Sequence, residues 1–135
     1  MEFEDARTAQ VVRAVCSHVV DGDTIDVLLD LGWFQYAYAA IRLRGIDTPE
    51  TRGTTGAERT RAEKAREMTR RCCLDRPVLV RSFHQKRSFD RFLGDVFVTE
   101  LDPAGSPAPA LTVGGRDWWS VADVLLAAQL ADPMD

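Results

Sequence analysis

The sequence has no apolar run of membrane-spanning length, no internal repeat, and only three cysteines and two histidines. Each shortage removes a class of protein. A transmembrane helix needs about 20 consecutive apolar residues, and none is present. Cys16, Cys72 and Cys73 are odd in number and include a vicinal pair. They suit neither a disulfide framework nor the spacing of a zinc site, so buried free thiols are expected. His18 and His84 form no recognisable acid–base or metal pair and read as structural. The opening segment, MEFEDARTAQ, is acidic where a secretory leader is basic and then apolar, which makes a cytoplasmic location the expectation.

Positive charge is scarce overall but not everywhere. The net charge of −4 argues against indiscriminate binding to nucleic acid. Yet residues 52–91 hold 12 Lys/Arg against 5 Asp/Glu, while residues 1–51 hold 4 against 9. An acidic chain thus carries one concentrated basic segment, a pattern that a solvated helix face also produces. The 135 residues suffice for a single domain that buries roughly two thirds of its unfolded surface. Residues 1–8 and 132–135 read as loosely ordered tails.

TAQVVRAVCSHVVDGD reads as a long first strand closing on the Asp-Gly signal of a tight hairpin. Thr24 to Leu31 is a second strand, and Gly32 opens the next turn. Gln35 to Ile46 is a third, alternating from Ile41 onward. The period then lengthens. GAERTRAEKAREMTRRCC carries Ala62, Ala65, Met68 and Cys72 among charges, the pattern of an amphipathic helix, ended by Asp75 and Pro77. PVLVRSF and FLGDVFVTE give two more strands, separated by the basic HQKRSFDR. DPAGSPAPALTVGG reads as a loop. SVADVLLAAQLA is a closing helix with Ser120 as N-cap and Asp123 three residues on, and Trp118 and Trp119 are expected to pack beneath it. A mainly β (α+β) chain of five short antiparallel strands with two to three helices, one after the third strand, suits a five-stranded Greek-key barrel of the OB type. Fold alone does not give function.

VVDGDTIDV places Asp21, Asp23 and Asp26 in a β-branched run, where acids are poor strand formers. With the next hairpin centred near Trp33 and Phe34, Asp23 lies across from Arg44, beside a strand end reading IRLRGIDTPE. Asp23, Asp47 and Glu50 then gather with Arg42 at one edge of the barrel. Strict alternation sets Arg42 and Asp47 on opposite faces, so the strand must end or bulge between them, and Gly45 is the credible place. Each piece also has a structural reading: Asp21-Gly22 as a turn, Asp47 and Glu50 as a capping box, Arg42 as an exposed strand residue. Their conjunction with a basic loop favours a site. Two carboxylates, a carbonyl and waters form an oxygen-only donor set suited to a hard cation such as calcium. A carboxylate can orient or deprotonate water, and guanidiniums stabilise the added charge of a five-coordinate phosphate.

VVDGDTIDV, IRLRGIDTPE and FDRFLGDVFV, in that order and within a span from about Val11 to Ala131, resemble the staphylococcal-nuclease-like (thermonuclease) family. The resemblance implies an OB barrel acting as a calcium-dependent nuclease on DNA or RNA, leaving a 3′-phosphate. By it, Asp23 and Asp47 would bind Ca2+ through their carboxylates and Thr48 through its backbone carbonyl. Arg42, Glu50 and Arg91 would be catalytic, with Glu50 as general base. Arg87, Ser88 and Phe89 stand where the family's D-K-Y-G-R-like element contacts substrate, and Asp90 replaces its glycine. The alternative is a non-catalytic nucleic-acid-binding module on the same barrel. No obligate protein partner is implied.

Overall fold

The computed structural model describes residues 10–88, 91–99, 101 and 107–134, and the side chains of all of these but 10 and 83–88. Two β-branched runs joined by Asp21-Gly22 fold back on each other. β1 (Gln10–Asp21) pairs antiparallel with β2 (Thr24–Asp30), from Ala14↔Leu29 to Asp21↔Thr24. β2 pairs in turn with β3 (Tyr36–Leu43), from Thr24↔Arg42 to Asp30↔Tyr36. This register lies one residue from the sequence expectation. The reason is the turn: Gly32, Trp33 and Phe34 all take left-handed φ values of 77°, 57° and 58°, and Gln35 N–H donates to the Gly32 carbonyl at 2.9 Å. The connection is centred on Trp33 alone. Asp23 therefore faces Leu43, whose N–H donates to the Asp23 carbonyl at 2.8 Å, and not Arg44. Left-handed φ costs an L-residue with a bulky side chain roughly 1–2 kcal/mol, so the tip keeps two aromatics where Asn-Gly would be relaxed.

β3 ends at Leu43, and Gly45 turns the chain at φ 85° into the short β4 (Ile46–Asp47). The DTPE segment caps no helix. α1 (Gly56–Cys73) begins several residues later, behind an extended Thr55, and buries Ala62, Ala65, Thr69, Cys72 and Cys73. Its apolar stripe matches the sequence pattern, with Thr69 added because its hydroxyl donates to the Gly22 carbonyl at 2.7 Å. Gly22 owes its identity to that helix. A Cβ there would lie 2.8 Å from Ala65 Cβ, so only glycine lets α1 seat on the hairpin.

β5 (Pro77–Ser88) runs on through most of the basic stretch and pairs with β1 and with β6 (Arg91–Val98). β6 also lies parallel to β3, from Ala40↔Arg91 to Leu43↔Gly94, closing the barrel in the order β3-β2-β1-β5-β6. Four seams are antiparallel and the closing seam is parallel, where the sequence reading had all strands antiparallel. The result is an OB-type α+β barrel. The Pro/Gly/Ser-rich segment, expected as loop, ends in a hairpin of β7 (Leu111–Val113) and β8 (Arg116–Ser120) turning on left-handed Gly114 and Gly115. α2 (Val121–Ala127) follows, with Ser120 Oγ accepting from Asp123 N–H at 3.4 Å as its cap. β9 (Asp132–Pro133) pairs with β4, and Met134 N–H donates to the Gly45 carbonyl at 2.9 Å, so residues 132–134 are tied down where a tail was expected.

Ile25, Val27, Ile41, Leu43, Val78, Val80, Val96 and Val98 fill the barrel, capped by Val121 and Leu125 of α2. Trp119 packs against this core and donates to the Pro107 carbonyl at 2.9 Å. All three cysteines are free and buried. Burial pushes the Cys16 thiol up to about 11 and raises Cys72 and Cys73 as well, so they stay protonated and inert near neutral pH. Among the described residues no helix is long and apolar enough to cross a membrane.

Candidate functional site

The start of β2, the end of β3 and β4 meet at one edge of the barrel. Asp23 is the residue before β2, and its side chain is only 8% exposed. Oδ1 accepts from Thr24 Oγ1 at 3.0 Å. Oδ2 accepts from the Thr48 backbone N–H at 3.0 Å and stands 3.1 Å from Arg42 Nη1. Arg42 Nη1 also donates to the carbonyls of Leu43 (3.2 Å) and Ile46 (3.0 Å), while Nη2 donates to Asp47 Oδ1 at 3.2 Å. The left-handed turn at Gly45 makes this possible. It curls the chain back so that the Ile46 carbonyl and Asp47 carboxylate return to Arg42, from which strand alternation would have separated them.

The three aspartates of the opening run part company. Asp23 joins the site. Asp21 Oδ1 accepts from Thr51 N–H at 3.1 Å and Thr51 Oγ1 at 3.0 Å, tying the segment after β4 to the hairpin. Asp26 lies half-buried in β2, paired with Ala40. Glu50 is exposed, two residues beyond Thr48, and its carbonyl accepts from Thr54 Oγ1 at 2.7 Å. Arg91 opens β6 opposite Ala40, two residues from Arg42 along β3, so the register sets both arginines on the same face of the sheet. Arg87 and Ser88 end β5, with Ser88 paired to Arg91. The side chains of Arg87 and Ser88, and all of Phe89 and Asp90, lie outside the described residues.

Two carboxylates around one guanidinium leave the cluster of Asp23, Asp47 and Arg42 with one surplus negative charge. Among the described residues Thr48 Oγ1 is buried with no hydrogen-bond partner, on the residue whose N–H meets Asp23. Among the described residues no three His, Cys, Asp or Glu side chains are grouped to hold a metal ion, so the protein offers two carboxylates here. Surplus negative charge and oxygen-only donors fit a hard divalent cation, with Asp23, Asp47 and Thr48 as the residues able to hold it.

One cluster is absent from the sequence reading. Asp95 on β6 accepts from Arg44 Nε at 3.2 Å and Nη2 at 3.1 Å, and from Arg81 Nε at 3.0 Å, with Arg81 Nη2 also at 3.0 Å. Its signal was a lone acid inside the apolar run FLGDVFV, which a half-buried strand tolerates only with a partner.

The fold and these side chains define an OB-type barrel with a carboxylate–guanidinium centre at one edge. The chain belongs to the family of staphylococcal nuclease homologues, whose model matches residues 40–110. That span takes in Arg42, Asp47, Thr48, Glu50 and Arg91, while Asp23 precedes it. A comparison with curated proteins finds no match.

Proposed function

We propose that this protein is a calcium-dependent nuclease that hydrolyses phosphodiester bonds of DNA or RNA at the edge formed by Asp23, Arg42, Asp47, Thr48 and Glu50. One observation carries the reading: the Arg42 guanidinium is fixed by two backbone carbonyls and two carboxylates, at 14% side-chain exposure. A donor fork oriented in advance of substrate costs little reorganisation when charge develops on a phosphate. Asp23 and Asp47 would hold the cation by carboxylate, and Thr48 would hold it through its backbone carbonyl. Calcium held there would polarise a phosphoryl oxygen and neutralise charge. Arg42 donates to a non-bridging oxygen of the scissile phosphate. Glu50, two residues beyond Thr48, orients a water for in-line attack and takes its proton as the new P–O bond forms. The bond to the 5′ oxygen breaks opposite it, and that oxygen leaves with a proton from solvent. Arg91, on the same face as Arg42, supplies a second planar fork as negative charge accumulates.

The test is incubation of the purified protein with plasmid DNA and with RNA, in calcium, in magnesium and in chelator. Cleavage is expected in calcium and is abolished by chelator. Magnesium supports it poorly, since it demands tighter octahedral geometry and releases water reluctantly. Undiminished cleavage in chelator would remove the metal role. Binding without cleavage under every metal would leave a non-catalytic nucleic-acid module.

A further inference from the structure

β3 carries Tyr36, Tyr38, Ala40 and Arg42 at alternate positions, and its register with β2 is unbroken, so these four share one face. The intervening residues turn inward, ending in buried Ile41 and Leu43. Beyond Tyr36 the track continues onto the hairpin tip. Trp33 is 93% exposed and Phe34 95%, with Tyr38 at 79% and Tyr36 at 59%. Both tyrosines of the chain and one of its three tryptophans stand on this single hairpin, outside any core. At the tip the aromatics occupy left-handed positions that small residues would fill without strain.

We propose that Tyr38, Tyr36, Trp33 and Phe34 form a stacking track for the bases of an unpaired nucleic-acid strand whose phosphate lies at Arg42. The inference rests on the nuclease reading and adds a base-binding surface to it. Side chains two apart on a strand stand about 7 Å from each other, which suits one unstacked nucleotide for each aromatic. A duplex presents no free base faces to such rings. Charge sets the direction of the backbone. On the β2 side, Asp26 pairs with Ala40 and Asp30 with Tyr36. Asp26 repels phosphate, and Asp30 does so less because Arg13 Nη2 lies 3.9 Å from its Oδ2. On the other side, Arg91 opens β6 opposite Ala40, on the same face as the track. Phosphates therefore run along the β6 side while the bases lie over the aromatics. The same acids disfavour an anionic lipid surface as the occupant.

The experiment measures binding in chelator, where turnover is stopped, of a short fluorescent single-stranded oligonucleotide and of its duplex. The decisive variant is Trp33→Asn with Phe34→Gly, which relaxes the turn. It should melt higher than the parent and yet bind the single strand about tenfold more weakly, the loss of a stacked base. Tyr36→Ser with Tyr38→Ser should lose a comparable factor, and Tyr36→Phe with Tyr38→Phe should retain binding, because stacking needs only the ring. Duplex binding and calcium-dependent hydrolysis of a small aryl phosphodiester should be unchanged in all of them. Unaltered single-strand affinity in the tip and Ser variants would overturn the track while leaving hydrolysis of the small diester, and so the nuclease reading, intact. Loss of vesicle binding or of self-association in these variants, with single-strand affinity unchanged, would likewise overturn it and assign the aromatics to lipid or to a second copy. If no diester is cleaved by any form of the protein, the nuclease reading fails, whichever way the binding measurements fall.

Discussion

Arg42 and Arg44 stand two residues apart, and their surroundings are mirror images in charge. Arg42 bridges two carboxylates, Asp23 and Asp47. Arg44 shares one carboxylate, Asp95, with Arg81, whose guanidinium also lies 4.9 Å over the Phe97 ring. Asp95 is closed: both oxygens are occupied, four donor nitrogens lie within 3.2 Å, and its side chain is 11% exposed. Asp47 is open, with one contact to Arg42 and 61% exposure. A carboxylate has about four acceptor sites. The four nitrogens fill those of Asp95 and make it a clamp between strands. Asp23, with three donors, keeps one toward a ligand. A carboxylate held on one side and open to water on the other can take a ligand. The difference arises at Gly45, where the left-handed turn sends Arg44 toward β6 and brings Asp47 back to Arg42.

The contrast is sharpest in rate. Arg42→Ala should lower cleavage on the order of 10²–10³-fold, as removal of other oriented charge stabilisers does, while Arg44→Ala should leave turnover within a few-fold. Equal losses in steady-state assays would dissolve the distinction between an active and a structural cluster. Glu50→Gln comes next, with turnover down about 10²-fold and calcium affinity by titration calorimetry unchanged. Asp23→Ala should do the converse to calcium, abolishing its binding. Asp95→Asn should retain cleavage but lower stability in urea by about 1–2 kcal/mol, since it weakens charge-assisted hydrogen bonds that the strands share. A loss of activity without loss of stability there would place Asp95 in the site.

Much of this was legible in the chain, for physical reasons that differ by element. The bounds of α1 follow from a change of period, and Ser120 was readable as a cap because the hydroxyl and the Asp123 N–H are local in sequence. The meeting of Asp23, Arg42, Asp47 and Thr48 needed only two hairpins and a break at Gly45. The register slip was hidden because Trp33 and Phe34 do not look like residues of a left-handed turn. The role of Gly22 was hidden for another reason: its neighbour Ala65 lies on a helix far along the chain, so a turn signal masked a clearance. The β7–β8 hairpin sat within a Pro/Gly-rich segment whose composition spoke for loop, although Gly114-Gly115 was itself a hairpin signal. Asp95 needed the partners Arg44 and Arg81, and no short-range pattern supplies those.

A third arginine–carboxylate pair sets the lower bound of the comparison. Arg61 on α1 meets Asp132 of β9 in a bidentate contact, Nη1 to Oδ2 at 3.1 Å and Nη2 to Oδ1 at 3.0 Å, and also donates from Nε to the Gln129 carbonyl at 3.2 Å. Its geometry equals that of the other clusters, but its surroundings are water. The hydrogen bonds from Arg61, and then its charge, hold the Asp132 carboxyl below its ordinary value of 3.8. A depressed carboxyl contributes stability that is fully present above the unfolded value and is lost as pH falls through the folded one. Nothing should therefore change between about pH 7 and about pH 5. Solvent screening keeps the effect small: Asp132→Asn should lower the melting temperature by under about 2 °C at neutral pH, and by less in high salt. Below the folded value of Asp132 the two proteins should melt alike. A loss as large as that of Asp95→Asn would mean that bidentate geometry alone, independent of burial, sets the strength of these pairs, and the division between closed clamp and open site would then have to rest on rate alone.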